Sequence, residues 1–496
     1  MSLAQQQFLH IEKTTTKKHP KRKNHNQYFT PEFAVEKALS LIPETKVEYI
    51  IDPAVGNGVF LKKASEKWGN AKLFGIDIDK DIILKLSKTN LLTSYFIVGD
   101  SLLKETWQLP EIEKVISKGG FDLVVGNPPF SSWFHRIESK EILFNYELAR
   151  NNRSFKKSQA IEILFLEIFI KLSREKKFIV IVLPDGILSN PQYQYVREYI
   201  LRKTKVLDVI SLPRNVFEKT SAKTSILILE KHKENNLNYI AKLHELEKTG
   251  KVNHTIKVFG TNLLKRMDYN YYNKLHKNSL QELSGKAVVF KPLKEFVVYC
   301  KTGKTLYGKE REFSKTGLRF LHATNITDIG INYKKDEKFI NPLSKMNSFN
   351  AQVKVGDILF VRVGVGCAGR INIVDTKDDE GVATDYIHIF RVKDVSPYFL
   401  VIYLKTRFGK DSINLLQHGV GTVSINKTDL LSLPIPLLAE DIQLEVEEKY
   451  KNILNQYKRY GEETNLKNKM SSLISYLEER IKQIAEINYY VEMRSM

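Results

Sequence analysis

The sequence predicts an α/β protein in which a doubly wound sheet is followed by a smaller α+β module and a long C-terminal helix. Three observations predict it. Between about residues 24 and 233, short apolar runs alternate with amphipathic segments; from about 291 to 436 the pattern changes to short strands with Gly and Asn turns; from Ile442 onward the chain is Glu/Lys-rich. Alternating strand and helix is the pattern of a parallel sheet, because each crossover must return the chain to the same end of the sheet.

The strand runs are "YIIDPAVG", "KLFGIDID", "SYFIVGD", "FDLVVGNPP", "KKFIVIVLPDG", "VLDVISLP" and "TSILILEK". Continuous apolar character, as in Phe121, Leu123, Val124 and Val125, suits interior strands covered on both faces. Residues 234–290 are polar and Asn/Lys-rich, with an amphipathic stretch at "LLKRMDYNYYNKLHK", and read as a helical connector. A separate module is expected over 291–440. In the segment 441–496, Leu466, Met470, Leu473, Leu477, Ile481 and Ile484 recur every three or four residues, as in a long packed helix or coiled coil.

With 496 residues the chain is long enough for several domains with real cores. Cys300 and Cys367 form no disulfide framework and match no zinc spacing, so a reducing cytoplasm and no structural metal are expected. The longest apolar stretches, "IEILFLEIFI" and "FIVIVLP", are short or interrupted by Glu, which predicts no membrane span. The excess of 77 Lys and Arg over 57 Asp and Glu, a formal charge of +20, points to a polyanionic partner, with nucleic acid the first candidate. Residues 1–23 form a basic arm whose "KTTTKKHPKRK" either lies on phosphates or is a solvated tail.

Two loops carry chemistry. In "IIDPAVGNGVFLKKA" a strand enters a Gly-rich turn and then a helix; Gly56 and Gly58 permit close backbone approach to a ligand, and Asn57 tolerates a left-handed conformation. Asp77 ends the next strand, placed for the two hydroxyls of a ribose, and Asp100 ends the third, where it could accept from an adenine amino group. Neither Gly-x-Gly-x-x-Gly nor a Walker lysine loop is present, and Asp52 precedes the turn. An acid there suits a cationic ligand better than a pyrophosphate. Nucleoside, ribose and positive charge together describe S-adenosylmethionine. In "FDLVVGNPPF", Pro128 and Pro129 fix their own backbone and constrain the residue before each, so Asn127 and Phe130 stand in a rigid relation at a strand's carboxyl end.

The ordered set "NQYFTPEF", "DPAVGNG", "GIDID", "VGD", "GNPPF" and "PDGILSN" resembles the gamma class of amino-methylating DNA methyltransferases, found in type I modification subunits and type II enzymes. The resemblance implies a Rossmann-like S-adenosylmethionine-dependent domain over 24–233. It implies that Thr30 and Pro31 close over the methionine end of the cofactor, and that Asp52, Ala54, Gly56, Asn57 and Gly58 form its turn. Asp77 would hold its ribose and Asp100 its adenine, on which Phe165 would pack unless it is plain helix core. The Asn127 side-chain oxygen and the Pro128 carbonyl would accept from the target amino group. Phe130 would stack on the target base, with Phe217 in "PRNVFEKTSAKTSILI" as the second aromatic face or else a core residue.

Such loops make the amino nitrogen nucleophilic. Its lone pair is delocalised into the ring; two fixed acceptors draw the hydrogens out of plane and localise the pair toward the methyl donor. Alignment at about 3 to 3.5 Å is what rigidity supplies. The base must first leave the duplex.

Residues 291–440 resemble the target-recognition half of a type I specificity subunit, through "CKTGKTLYGKE", "GLRFLHATNITD", "VKVGDILFVRVGVGCAGRINIV" and "SINKTDLLSLPIPLL". Lys304, Tyr307, Lys309, Arg311, Asn325 and Arg362 are candidate DNA contacts, each also readable as a surface or turn residue. The terminal helix either pairs two chains around a two-fold axis or braces the recognition module within one chain. The helical domain typical of a type I modification subunit is not expected before the cofactor motifs, nor a fused nuclease; a separate restriction subunit remains open. The expected reaction is site-specific N6-methylation of adenine in double-stranded DNA. Its rivals are N4-methylation of cytosine, for which Ser often replaces the Asn, and protein-glutamine methylation, against which the charge and the C-terminal module argue.

Overall fold

The computed structural model describes residues 8–10, 29–89, 93–131, 135–150, 155–214, 216, 223–232, 236–283, 288–306, 311–417, 423–461 and 464–495. The chain divides into two compact units, Met1–Tyr272 and Asn273–Met496.

The first unit is built on a ten-stranded sheet: β1 (Phe8–His10), β2 (Tyr49–Asp52), β3 (Lys72–Asp77), β4 (Ser94–Val98), β5 (Phe121–Gly126), β6 (Ser173–Pro184), β7 (Thr204–Ser211), β8 (Thr224–Lys231), β9 (Ile240–Leu246) and β10 (Val252–Phe259). Their spatial order is β1-β4-β3-β2-β5-β6-β8-β7-β9-β10. From β4 to β6 every pairing is parallel, whereas β8 runs antiparallel to both β6 and β7. All seven strands expected from the sequence form. Every residue of β5 is buried, as its apolar run requires. The winding reverses between β2 and β5, so the crevice of this sheet opens at their carboxyl ends.

Residues 234–290, expected as a helical connector, instead begin with two strands. β9 pairs parallel with β7 and antiparallel with β10. The reason is a period of two: Ala241 and Leu243 are buried while Ile240 and Lys242 face out. His244, also buried, ties the addition down through Asp208 Oδ1 at 2.8 Å and Thr255 Oγ1 at 2.9 Å. Helix follows only at Tyr269–His276, apart from short 3-10 turns. Of the basic arm, residues 8–10 run parallel to β4 at the sheet edge; "KTTTKKHPKRK" lies outside the described residues.

The second unit contains β11 (Phe290–Pro292), β12 (Val297–Thr302), β13 (Leu318–Leu321), β14 (Phe339–Ile340), β15 (Gln352–Val353), β16 (Ile358–Val361), β17 (Ile371–Ile373), β18 (Gly381–Ala383), β19 (Ile387–Val392) and β20 (Pro434–Pro436). They make two four-stranded sheets, β12-β19-β16-β17 and β14-β13-β18-β15, and the pair β11-β20. Helices Pro397–Lys405 and Glu440–Tyr460 share one apolar cluster with Phe360, Phe390 and the last helix, Thr464–Ser495. The single long helix expected is therefore two. Gly461, at φ +80°, ends the first, its N–H donating to Tyr457 O at 2.8 Å. Leu466, Met470, Leu473, Leu477 and Ile481 are all buried in this unit's own core. The stripe, expected either to pair two chains or to brace the module within one, packs within its own unit. Among the described residues no helix is long and apolar enough to cross a membrane.

Candidate active site

The carboxyl ends of β2, β3 and β5 bring most of the expected residues together. The turn after β2 is stitched to β3: Val55 N donates to Ile76 O at 2.8 Å, and Gly56 N to Asp77 Oδ2 at 3.1 Å. Gly56 and Gly58 both have positive φ, +50° and +76°. A side chain at Gly58 would strike Leu86, while Gly56 lies beneath the ring of Phe29. That contact carries the segment containing Thr30 and Pro31 onto the turn. Thr30 is buried, and among the described residues its Oγ1 has no hydrogen-bond partner. Such an atom costs free energy unless something else pairs with it.

Asp77 Oδ1 also accepts from Asp79 N at 2.9 Å, so both carboxylate oxygens are engaged by backbone N–H groups. Asp100 Oδ1 accepts from Leu102 N at 2.9 Å. The loop that bears Asp100 is fastened to the Gly-rich turn by Ser101 Oγ, which donates to Pro53 O at 2.6 Å. Ala54 is half-buried and Asn57 exposed, its Oδ1 accepting from Val59 N at 3.2 Å. Phe165 is buried on the helix Ile161–Leu172.

Asp52 is the electrostatic centre. It is 1% exposed and accepts from Ala54 N at 3.0 Å. Burial pushes its pKa up to about 8; the Ala54 bond opposes this and the Asp77 charge adds to it. A buried carboxyl with so little compensation is poised to ionise beside a cation.

The Asn-Pro-Pro loop begins against this acid. Gly126 has φ +150°, and a Cβ there would collide with the Asp52 carboxylate. Only glycine lets the loop start so close. Asn127 and Pro129 are half-buried and Pro128 is buried. Phe130 departs from expectation: it is 1% exposed, within the apolar cluster that includes Val125, Val182 and Leu212. Its ring is packed in the core in this conformation. Phe217 lies outside the described residues.

Sequence reasoning missed Glu162. It sits in the first turn of Ile161–Leu172, 7% exposed, and accepts from Ser131 N and Ser131 Oγ, both at 2.8 Å. Burial raises its pKa, and the two bonds from Ser131 oppose the rise. The signal was an acid in an otherwise apolar helical run. Glu167 repeats it one and a half turns on, accepting from Glu147 N and Leu148 N at 2.8 Å each.

In the second unit, Asn325 is corrected. It is fully buried, receives His322 N at 2.7 Å and donates to Asn332 O at 3.0 Å, so it builds a turn and cannot reach a base edge. Lys304 is exposed. Arg311 is half-buried over the Phe313 ring, and Arg362 is half-buried and donates to Asp385 O at 3.0 Å. Tyr307 and Lys309 lie outside the described residues.

A sequence profile described as N-6 DNA Methylase matches residues 12–339. The chain is similar to the type I restriction enzyme MpnII methylase subunit of Mycoplasma pneumoniae, 24% identical over 226 residues, covering 43% of this chain and 41% of that one. It is also similar to the type II methyltransferase M.HindII of Haemophilus influenzae, 24% identical over 311 residues, covering 61% and 52%. The chain thus spans about half the length of the curated relatives it matches. Among solved structures, the type IIL restriction-modification enzyme MmeI in complex with DNA aligns over 92% of this chain and 72% of that one, at a TM-score of 0.58 and 11% identity. That likeness concerns the fold. The first unit is a doubly wound, Rossmann-like α/β sheet.

Proposed function

Because this chain belongs to the N-6 DNA methylase family, we propose that it methylates the exocyclic nitrogen of an adenine flipped out of double-stranded DNA, at a site read by its second unit. The observation that carries the reading is the approach of Gly126 to Asp52, which sets the Asn-Pro-Pro loop beside the Gly-rich turn. Acceptors for an amino group and a cradle for a cofactor then share one crevice.

The residues present fit S-adenosylmethionine. A buried carboxyl at Asp52 suits its cationic end, Thr30 Oγ1, unpartnered among the described residues, offers a donor and an acceptor, and Asp77 stands at the carboxyl end of β3, where a ribose would lie. When bound, the cofactor supplies an electrophilic methyl group. The protein's part is alignment: Asn127 Oδ1 and Pro128 O accept the two amino hydrogens of the base, and the prolines hold both acceptors still. Asp100 faces the cofactor's adenine, with Phe165 as packing partner. Phe130 rotates out of its core to stack on the flipped base, opposite Phe217.

Residues 291–440 act as the DNA-reading module, with the basic charge of the chain supplying phosphate affinity. Lys304, Arg311 and Arg362 remain candidate contacts. Because the stripe of the last helix is covered within its own chain, that helix acts as an internal brace. A nuclease subunit acting with this chain fits the restriction-modification setting of its relatives.

Asn127 favours adenine over cytosine. The test is to incubate the protein with unmodified DNA and labelled S-adenosylmethionine, digest to nucleosides and identify the product by mass spectrometry. N6-methyladenine is expected. Label on cytosine, or on protein alone, would overturn the base or the substrate class.

A further inference from the structure

The catalytic loop is strung between two buried carboxyls. Its entrance, Gly126, abuts Asp52 on the cofactor side, and its exit, Ser131, is gripped by Glu162 on the far side. Both acids are nearly inaccessible, at 1% and 7% exposure. The exit grip uses both Glu162 oxygens, Oε2 for the Ser131 N–H and Oε1 for its hydroxyl, so it fixes backbone and side chain together. Bonds to an ionised, buried acceptor are stronger and shorter than neutral ones.

Glu162 stands in the first turn of a twelve-residue helix that is buried from Ile163 to Ile170 and again at Leu172. Its position is therefore set by the sheet-covering layer and not by the loop it holds. Charge is also managed locally: the Arg136 guanidinium lies close enough to favour the carboxylate, and is itself held by Ser158 Oγ at 3.0 Å and Ser158 O at 3.3 Å. A carboxylate buried at such cost, and spent on one serine directly after the catalytic loop, has a purpose that core packing does not require.

We infer that Glu162 is a positioning residue for methyl transfer: it anchors the exit of the Asn127–Phe130 loop so that the two acceptors stay in register with the cofactor while Phe130 leaves its core. The inference rests on the reading of the chain as a methyltransferase acting on a flipped base. Phe130 is the residue next to the anchor, so its ring can swing about a fixed point without carrying Asn127 with it. Without the anchor, ring movement and acceptor movement are coupled.

Glu162→Gln keeps shape but removes the charge: its oxygen can still accept from Ser131 N–H and its NH2 donate to the Ser131 hydroxyl, so two charge-assisted bonds become weaker neutral ones. The expected result is a fall in kcat of about 10- to 100-fold, the scale of a small misalignment at the reacting atoms, with the S-adenosylmethionine Kd unchanged within about twofold. With 2-aminopurine at the target position, the fluorescence rise that reports extrusion should persist while methyl transfer lags. Ser131→Ala, which keeps the backbone bond, should lose less, and the double variant should be no worse than Glu162→Gln alone. Glu162→Leu guards against a folding artefact: a variant that binds cofactor normally yet methylates as slowly as Glu162→Gln supports the anchor. If the parent chain methylates DNA and Glu162→Gln matches it, or if cofactor affinity falls in step with kcat, the assignment of Glu162 is overturned. If the parent chain methylates no DNA, the functional reading itself falls.

Discussion

Each unit buries an ionisable group at high cost, and the two are handled in opposite ways. Asp52 of the first unit has one hydrogen bond among the described residues, from Ala54 N. Lys405 of the second is 7% exposed, and its Nζ donates to Asp328 O at 2.5 Å and to Asn372 Oδ1 at 3.0 Å. Asn372 in turn donates to Thr327 O at 2.6 Å and Gly330 O at 3.1 Å and accepts from Tyr450 OH at 2.8 Å; Tyr457 OH meets Thr327 Oγ1 at 3.2 Å. Burial displaces both pKa values, Asp52 up to about 8 and Lys405 down to about 7. A displaced pKa alone therefore does not mark a functional site. The distinguishing feature is what surrounds the group: the lysine is saturated by its own fold and ties strands to helices, whereas the aspartate is left under-satisfied beside glycines.

The largest expected effect lies on the catalytic side. Asn127→Ala should lower kcat by about 10²- to 10³-fold, the scale of losing a preorganised polar group at a reacting centre, with S-adenosylmethionine binding preserved; radiolabel transfer and calorimetry check the two halves. The architectural side should fail in stability. Asn372→Ala removes one hydrogen bond each from Lys405, Tyr450 and the Thr327 and Gly330 carbonyls in the core and should cost about 3 kcal/mol, read as a lower urea midpoint for the second unit.

Next comes a contrast in pH. The folded pKa of Asp52 is raised, so its native state holds a proton that the unfolded chain releases, and its contribution is lost as pH rises from about 4 to about 8. The folded pKa of Lys405 is depressed, so its contribution grows as pH rises from about 7 to about 10.5. Hydrogen exchange of peptides from each unit should show slopes of opposite sign, near 1 kcal/mol per pH unit at most, that flatten in Asp52→Asn and Lys405→Met respectively. Slopes of the same sign would break the comparison. Smallest is Tyr457→Phe, which removes the hydroxyl that meets Thr327 Oγ1 and should cost about 0.5–1 kcal/mol.

The two regions also differ in how much the sequence discloses. The strands of the first unit are legible because burial on both faces demands unbroken apolar runs, and the site is legible because glycine, proline and acid occupy fixed places around strand ends. β9 and β10 were obscured by their Lys, His and Glu, which hide an alternation that half-exposed strands use. Glu162 escaped because a lone acid in an apolar helix reads as an interruption; what it grips lies 31 residues away in sequence. Asn325 was misjudged for the converse reason, since an Asn in a basic, turn-rich module serves base edges and backbone turns equally well on paper.

The pairing of β11 with β20, Phe290 opposite Pro436, sets the entrance and exit of the intervening segment on adjacent strands of one ladder. Chain that leaves and re-enters at neighbouring points can be exchanged as a block without rethreading its surroundings. A block grafted at this ladder would have to match the faces of Glu440–Tyr460 and Thr464–Ser495, both in the shared apolar cluster and in polar contacts such as that of Asn372, held by Lys405, with Tyr450. The segment between β11 and β20 is thus a replaceable part, and the polar knot around Asn372 is one fitting any replacement must match.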